Sequence, residues 1–521
     1  MKILDKPMKF TKHVMALVLV LTFTVSCDKL LDEPLENEVP LEGIDFTKTE
    51  DMFTLLTGSY AAFNSLQWET FPLISVRGDD VNAAGDQVPL TDTDDFNYDR
   101  SFWMYNSDWL NLYTDVLNYY ANMELIENYK KYAPNPALAD QYLAEIKVLK
   151  AYSLFQLSRL WGGLLIPKSS SADELYTAPV ASKEEVMQYI SDEMDDAIPF
   201  LPSVRPNQRT DVPGGVTRYT ALAVKALANL EMENYQGVAD ATGEIISSGA
   251  FTLDPDFYEL FKIPGKLSNE NLLELQYSDL GQSSGQNFAY LYAFFGPNDY
   301  APAVAGAGGG WGFWEPSLKY IKFMLDRGET VRLETSVLFT NEGIAEIKSD
   351  PNYATLPAWI SNTTRDGDVI GKTDGSANPR AIFSSGKHYL PSNQLTPGRT
   401  AYGTNKNFIC IRYAEVLLMY AEALTSGASG TSITADNAVN EVRNRAGLGN
   451  LSGVTLDDVL DEKFAEFGME WGIRFYDLVR HGKTSELNYG GRTYSDNDRY
   501  LPYPLAQLDL LPQLVEAEKQ N

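Results

Sequence analysis

Residues 409–423, ICIRYAEVLLMYAEA, decide the fold of this chain. Apolar side chains recur there with the helical period, which predicts a helix from Ile411 to Leu424. The small side chains of Ala421 and Ala423 allow a second helix to cross at close range. The stretch therefore predicts one member of a packed helical pair.

Comparable helical patterns occupy most of the chain. The predicted helices cover residues 49–66, 103–132, 136–161, 182–202, 217–230, 235–248, 411–424, 435–446 and 455–480. Helices that follow one another closely, with small residues at their crossings, are typical of tetratricopeptide-like pairs. We therefore predict a mostly α-helical fold whose platform of helical pairs covers about residues 49–66, 103–250 and 408–480.

Residues 251–407 have a different composition and lack the helical period. Glycine, proline, asparagine and aromatic residues replace the helical period there, as in APAVAGAGGGW at 301–311. A segment this long with little regular structure is rarely a plain connector. We predict a functional, loop-rich insertion within a single body of residues 49–521.

The N-terminus has the pattern of an export signal. Four lysines precede a twelve-residue apolar run, Val14–Val25, which is too short to span a bilayer. We therefore predict a signal peptide at residues 1–26, and the small residues before Cys27 resemble a bacterial lipobox. Cys27 is then lipidated and residues 27–48 form an acidic tether, the alternative being an ordinary thiol behind a soluble-secretion signal.

Composition excludes several classes of protein. The 521 residues carry 42 Lys and Arg against 71 Asp and Glu, a formal net charge of −29. Such an acidic surface repels phosphate backbones, which argues against nucleic-acid binding. Two cysteines and three histidines are too few for a disulfide scaffold, a zinc ribbon or an iron–sulfur cluster. No segment after the leader is apolar enough to span a membrane, so we expect membrane attachment through the lipid alone.

Two patterns offer alternative chemistry. Residues 281–285, GQSSG, match the nucleophile-elbow pattern and would need His388 or His481 as base. No βαβ alternation surrounds them, so a surface serine hydrolase is a distant alternative and we expect no enzyme activity. Carboxylates of Asp92, Asp94 and Asp95 are a candidate calcium site, the competing interpretation being a solvated acidic loop. No other cofactor is expected.

The opening stretch resembles the iRyaEvlLmyAEA helix of the SusD/RagB family. Further resembling segments follow in the family's order, at residues 144–167, 312–332, 439–448, 466–480 and 501–510. Departures are mild: Leu511 stands where an asparagine is usual, and Phe464-Ala465 replaces an arginine-bearing pair. With the lipobox, the resemblance covers nearly the whole mature chain.

The resemblance implies both fold and function. Proteins of this family are outer-membrane surface lipoproteins with a tetratricopeptide-like platform and an irregular, ligand-facing subdomain. They bind a nutrient and act as the lid of a SusC-type TonB-dependent transporter, which is the implied partner here. A glycan is the favoured ligand, and an oligopeptide, as in the RagB branch, stays open.

A glycan site combines flat aromatic side chains with hydrogen-bonding groups. Predicted loops at 67–97 and 286–314 offer both. The candidate ligand-binding residues are Trp68, Asp79, Asp80, Asn82, Tyr290, Tyr292, Trp311 and Trp314. We expect the glycines before Trp311 to bring backbone close to the ligand, and Tyr290 and Tyr292 to share one side of an extended segment. Any one of these aromatics can instead belong to the core, and Trp314 can pack below the loop.

Charged residues within the resembling helices are interpreted as structural. Arg412 precedes Glu415 by three positions, and Arg474 precedes Asp477 by the same spacing. Side chains at this spacing share a helix face, so we expect two local ion pairs that fix helix packing.

Overall fold

The computed structural model describes residues 43–278, 290–297, 299–304, 310–371, 380–395 and 404–518. The chain divides into a short unit, residues 1–49, and a large unit, residues 50–521. The signal peptide and Cys27 lie outside the described residues. Within the described residues, no helix has both the length and the apolar character required to cross a bilayer.

The large unit is mostly helical, as predicted. Its helices are α1 Met52–Phe63, α2 Thr70–Ser75, α3 Val88–Asp94, α4 Trp103–Lys130, α5 Pro136–Trp161, α6 Asp173–Thr177, α7 Lys183–Ala197, α8 Arg218–Glu231, α9 Tyr235–Ser247, α10 Phe257–Leu260, α11 Tyr290–Phe295, α12 Leu318–Asp326, α13 Val331–Ser336, α14 Asn341–Ser349, α15 Tyr413–Thr425, α16 Ala435–Arg445, α17 Leu456–Phe467, α18 Ile473–Arg480, α19 Leu505–Leu510 and α20 Pro512–Glu518.

Short strands form antiparallel pairs between distant parts of the chain. The strands are β1 Val81–Ala83, β2 Leu164–Leu165, β3 Val180–Ala181, β4 Asn271–Leu275, β5 Tyr300–Ala301, β6 Trp314–Pro316, β7 Val337–Phe339, β8 Val369–Ile370, β9 Phe383–Ser385 and β10 Phe408–Arg412. The pairs are β1 with β6, β2 with β3, β4 with β10, β5 with β8, and β7 with β9.

Local signals set the ends of the long helices. Pro136 occupies the first turn of α5, and Gly162 follows its last residue with a φ of +73°. At α7 the Ser182 hydroxyl accepts from the Glu185 N–H, while the Glu185 carboxylate accepts from the Ser182 N–H at 2.8 Å. This reciprocal cap satisfies two backbone donors that a helix start leaves free. The predicted bounds of α5 and the predicted start of α7 are confirmed, whereas α7 ends at Ala197 instead of continuing to residue 202.

The platform consists of consecutive helices that pack side by side. Helix α5 lies between α4 and α7, α8 packs on α7 and α9, and α9 packs on α15, which in turn contacts α16. The contact between α9 and α15 bridges the whole insertion, so helices far apart in sequence continue one stack. The predicted arrangement of helical pairs is confirmed.

The insertion begins and ends in one strand pair. Strand β4 near its start pairs with β10 at its end, with Leu275 opposite Phe408 and Asn271 opposite Arg412. Between them lie α11–α14 and β5–β9, which is more regular structure than the composition predicts. These elements are short and interrupted by glycine and proline, so no long periodic pattern reveals them.

The helix predicted over residues 455–480 is instead two helices. Helix α17 ends at Phe467 and α18 begins at Ile473. Gly472 between them has a φ of +62°, and a Cβ there would lie 2.3 Å from the Ile74 carbonyl oxygen. Only glycine tolerates both the conformation and the close approach. The resulting turn covers residues 468–472 and contains Glu470, a partner of the buried Arg412.

The local ion pairs expected from the sequence are wrong in their partners. Arg412 donates to Glu270 at 3.0 Å and to Glu470 at 2.9 Å, both on other elements, instead of pairing with Glu415. Arg474 pairs with Asp79 at 2.8 Å instead of Asp477. These buried pairs join separate segments of the chain. They fix the packing, as expected, but their partners are distant in sequence instead of three positions away.

Candidate ligand-binding site

The stretch predicted as a loop at residues 67–97 contains helices α2 and α3 and strand β1. Trp68 lies just before α2 with an extended backbone, φ −95° and ψ 119°. Glu69 follows with a φ of +65°, a conformation that non-glycine residues seldom adopt. This turn directs the chain from α1 into α2 and leaves Trp68 half-buried.

Four aromatic residues from both predicted loops form one cluster, called here the aromatic surface: Trp68, Phe294, Trp311 and Phe313. Phe294 is buried at its centre, with ring centroids 5.2 Å from Trp68 and 5.3 Å from Trp311. Trp311 also contacts Phe313 at 5.5 Å. Trp68, Trp311 and Phe313 are half-buried, so each keeps part of its ring exposed. Two stretches far apart in sequence thus supply one exposed aromatic area.

Backbone hydrogen bonds fix the position of Trp311. The Phe313 N–H donates to the Phe294 carbonyl at 2.8 Å, and the Gly310 N–H donates to the Pro297 carbonyl at 2.9 Å. A Cβ on Gly310 would lie 2.1 Å from the Gly296 carbonyl oxygen. At Gly310 the backbone therefore approaches the protein's own chain closely, and the expected approach to a ligand stays a prediction.

Trp314 belongs to the core below the aromatic surface. It is 1 % exposed, and its ring lies 4.3 Å from Phe295 and 5.8 Å from Phe71. Tyr292 is equally buried, with its hydroxyl 3.3 Å from that of Tyr300. In this structure neither side chain is open to a ligand, which corrects two of the candidate residues.

The segment with Tyr290 and Tyr292 is helix α11, not an extended strand. Alternation of side chains therefore does not apply to this pair. The side chain of Tyr290 lies outside the described part of the chain, and its role stays a prediction.

The acidic candidates Asp79 and Asp80 are structural. Asp79 is buried and accepts from Arg474 at 2.8 Å and Lys319 at 2.7 Å. Burial acts to raise the pKa of Asp79, but these two cations outweigh it and hold the pKa below its usual value. Asp80 accepts from the Met469 N–H at 2.7 Å, and burial raises its pKa to about 6. Both carboxylates are thus used inside the fold.

Asn82 is the half-buried polar candidate of strand β1. Its side-chain oxygen accepts from the Tyr489 hydroxyl, and its Cα lies opposite Glu315 in the β1–β6 pair. The contact with Tyr489 commits one end of the amide to the fold. A role in ligand binding stays a prediction.

Glu69 is an acidic residue directly behind the aromatic surface that the sequence did not single out. It is buried, and burial raises its pKa to about 7 against hydrogen bonds from Ser107, Trp68 and Asn111. A carboxylate bonded to the Trp68 side chain restricts the position of that ring. The signal in the sequence was only an acid adjacent to a candidate tryptophan.

Polar groups also border the aromatic surface at Phe313. Gly85, with a φ of +70°, lies against this ring so closely that a Cβ would be 2.6 Å from it. Asp86 and Gln87 follow, exposed and half-buried, with the Gln87 amide donating to Asp86 at 3.0 Å. An aromatic area next to a carboxylate and an amide has the chemistry that a sugar ring requires.

The calcium candidate is not supported. Asp92 and Asp94 lie in helix α3, not in an acidic loop. Asp94 is buried and pairs with Arg492 and Arg380, and Asp95 pairs with Arg380 at 2.7 Å. These arginines occupy carboxylate oxygens that a cation would need. In the described ranges, no cluster of three or more His, Cys, Asp or Glu side chains suits a metal ion.

The hydrolase alternative depends on residues that the fold uses elsewhere. Ser283 lies outside the described residues. His481 contacts the Glu422 carboxylate at 2.8 Å. His388 lies 2.8 Å from the Ser385 hydroxyl, but this serine and histidine are 0 % and 4 % exposed, so a substrate has no access to them.

Comparisons with known proteins agree with this architecture. Residues 269–519 match the SusD family. A SusD-like protein from Bacteroides ovatus is 23 % identical over 400 residues, 73 % of this chain and 67 % of the relative. SusD-like protein P2 from Formosa agariphila is 24 % identical over 511 residues, 93 % of this chain and 92 % of the relative.

Solved structures show the same fold. Surface glycan-binding protein A from Bacteroides thetaiotaomicron, in complex with laminarihexaose, aligns with a TM-score of 0.70 at 21 % identity. The alignment covers 88 % of this chain and 97 % of that chain. The resemblance to the SusD/RagB family predicted from the sequence is confirmed.

Proposed function

We propose that this chain is a lipid-anchored protein of the outer-membrane surface that captures an oligosaccharide and delivers it to a SusC-type TonB-dependent transporter, acting as its lid. The aromatic surface carries the proposal. Trp68, Trp311 and Phe313 present exposed ring area around a buried Phe294, and their position is fixed by backbone hydrogen bonds. Such rings stack on the apolar face of a sugar, while nearby carboxylate and amide groups bind its hydroxyls.

The similarity to glycan-binding relatives supports a glycan over a peptide. The Bacteroides thetaiotaomicron relative was solved with laminarihexaose, a glucose oligomer. An uncharged oligosaccharide also suits this acidic protein, since it meets no electrostatic repulsion. An oligopeptide is the second candidate ligand, because its side chains use the same rings.

Binding is tested by calorimetric titration of the mature protein with laminarihexaose, other neutral glycans and short peptides. Trp68→Ala should weaken binding of the glycan that the wild type binds by about 5–150-fold, the loss of one stacked ring. Trp103→Ala is the matched control, because Trp103 is 51 % exposed on α4 outside the aromatic surface. Equal affinity of wild type and Trp68→Ala contradicts the proposal, and binding of peptides alone favours the oligopeptide function.

Catalysis is tested on the same samples. We expect the bound glycan to be recovered intact after prolonged incubation. Product formation that Ser283→Ala abolishes would replace capture by hydrolysis as the function.

The transporter partner is tested by purification from native membranes in mild detergent. A lasting lid needs a large interface, commonly above about 2,000 Å². We expect a β-barrel transporter to co-purify with the chain. Recovery of the chain alone, with its lipid intact, contradicts the lid.

A further inference from the structure

Three buried lysines gather at the segment of residues 385–388, SGKH. Lys262 is 1 % exposed, and Lys387 and Lys406 are each 2 % exposed. The Lys262 ammonium donates to the Gly386 carbonyl at 2.9 Å, and the Lys406 ammonium donates to the Lys387 carbonyl. Burying even one ammonium group is costly unless an anion balances it.

Carboxylates balance this positive charge incompletely. Lys387 pairs with Glu470 at 2.6 Å. Among the described residues, Lys262 and Lys406 have no carboxylate within ion-pair distance. Aromatic rings stand near them instead, Tyr258 at 4.2 Å from Lys262 and Phe408 at 4.8 Å from Lys406. Within the described ranges, Lys406 therefore lacks a counter-ion, whereas Lys262 is attracted by the more distant Asp366 and Glu259 carboxylates.

A small cavity opens beside this cluster. Its polar wall consists of Lys387, His388, Lys406, Asn407 and Glu470, and its apolar wall includes Phe71, Leu260, Phe261, Leu291, Phe408, Met469 and Trp471. The cavity is small, with room for about one water-sized particle. An atomic anion therefore fits this cavity better than a sugar or an oxyanion does.

We propose that this cavity binds one halide ion, chloride under physiological conditions. Ammonium donors supply the counter-charge, and the apolar wall suits an anion that is weakly hydrated. The Glu470 carboxylate does not compete, because Lys387 and Arg412 already hold it. The site lies behind the aromatic surface and is distinct from it, since His388 contacts the core rings Phe295 and Trp314.

Halide binding is coupled to protonation. Burial, together with neighbouring cations, lowers the pKa of Lys406 and of His388, and burial lowers that of Lys387 to about 8. A bound anion favours the protonated forms, so affinity rises as pH falls. The charged or titratable groups around the cluster are Lys262, Lys387, His388, Lys406, Arg412, Glu466 and Glu470, with Asp256, Glu259, Arg365 and Asp366 on the side of Lys262.

The decisive experiment is a crystal of the mature protein grown in sodium bromide at pH 6. The anomalous difference map should show one bromide peak in contact with the Lys406 ammonium. A map with no peak in the cavity overturns the proposal, because bromide has the charge of chloride and nearly its size.

Thermal unfolding gives a second measurement. At equal ionic strength, the melting temperature should be higher in sodium chloride than in sodium gluconate, and the difference should grow from pH 8 to pH 6. Lys406→Met should abolish that difference, whereas Lys348→Met, at an exposed position of α14, should keep it. An equal chloride effect in all three proteins overturns the proposal. If Lys406→Met fails to fold, the bromide map of the wild type decides.

Discussion

Glu270 and Arg412 form a 3.0 Å ion pair at the point where the insertion leaves the platform and rejoins it. Glu270 directly precedes strand β4, and Arg412 ends strand β10, so the pair closes the base of the insertion. Arg412 also donates to Glu470 in the turn at residues 468–472. One buried guanidinium thus joins the insertion, the platform and the turn that separates α17 from α18.

Removing this guanidinium should be strongly destabilising. Arg412→Met leaves Glu270, Glu466 and Glu470 buried with less positive charge beside them, so we expect the free energy of unfolding to fall by about 3–5 kcal/mol. Arg218→Met is the control, because the Arg218–Glu244 pair is 33 % and 45 % exposed and should contribute about 1 kcal/mol or less. Urea unfolding followed by tryptophan fluorescence measures both. Similar losses in the two variants would contradict the role of the buried pair.

The platform could be predicted because its signals are local. Pro136 and the Ser182 and Glu185 cap mark helix ends through residues a few positions apart. The break at Gly472 escaped prediction, because its cause is the Ile74 carbonyl, far away in sequence. Similarly, the partners of Arg412 are all on other elements, which no helical spacing reveals.

The candidate site was predicted in part. Trp68 and Trp311 lie in one aromatic surface. Their residue types suggested a role in binding, but their positions in the sequence could not show that they are close in space. Trp314 and Asp79 are buried, because the β1–β6 pair and the ion pair with Arg474 draw them into the core. Residue type alone cannot separate an aromatic that stacks on a ligand from one that fills the core.

Glu315 should make stability depend on pH. It is 3 % exposed and accepts from the Ile382 and Phe383 N–H groups at 2.9 and 3.1 Å. Burial raises its pKa to about 8 from the ordinary 4.5. Between these values the native state binds a proton that the unfolded chain has lost, so stability falls as pH rises through this window.

Glu315→Gln keeps an acceptor oxygen and cannot titrate. Between pH 5.5 and 8.5, we expect its free energy of unfolding to fall by about 1–3 kcal/mol less than that of the wild type. Glu342→Gln, at an exposed position of α14, is the control and should follow the wild type. Parallel urea-unfolding results for all three proteins would show that Glu315 does not cause the dependence.

Lipidation at Cys27 should control membrane attachment. Cys27→Ala removes the thiol that the lipobox resemblance assigns to the lipid, so the protein should leave the membrane fraction of cells that lack the transporter. Cys410→Ala is the matched control, because Cys410 is the other cysteine of the chain and is buried in β10. Cell fractionation and mass spectrometry of the N-terminal peptide measure the result. A Cys27→Ala protein that stays with the outer membrane contradicts the lipobox.

Trp311 and Trp314 should behave in opposite ways. Trp311 is half-buried in the aromatic surface, so Trp311→Ala should weaken glycan binding by about 1–3 kcal/mol with a small loss of stability. Trp314 is 1 % exposed among core rings, so Trp314→Ala should cost about 3–5 kcal/mol of stability. Protein that remains folded should bind the glycan with an affinity closer to that of the wild type. Calorimetric titration and urea unfolding of both variants measure the contrast, and normal binding with severe destabilisation in Trp311→Ala would assign Trp311 to the core.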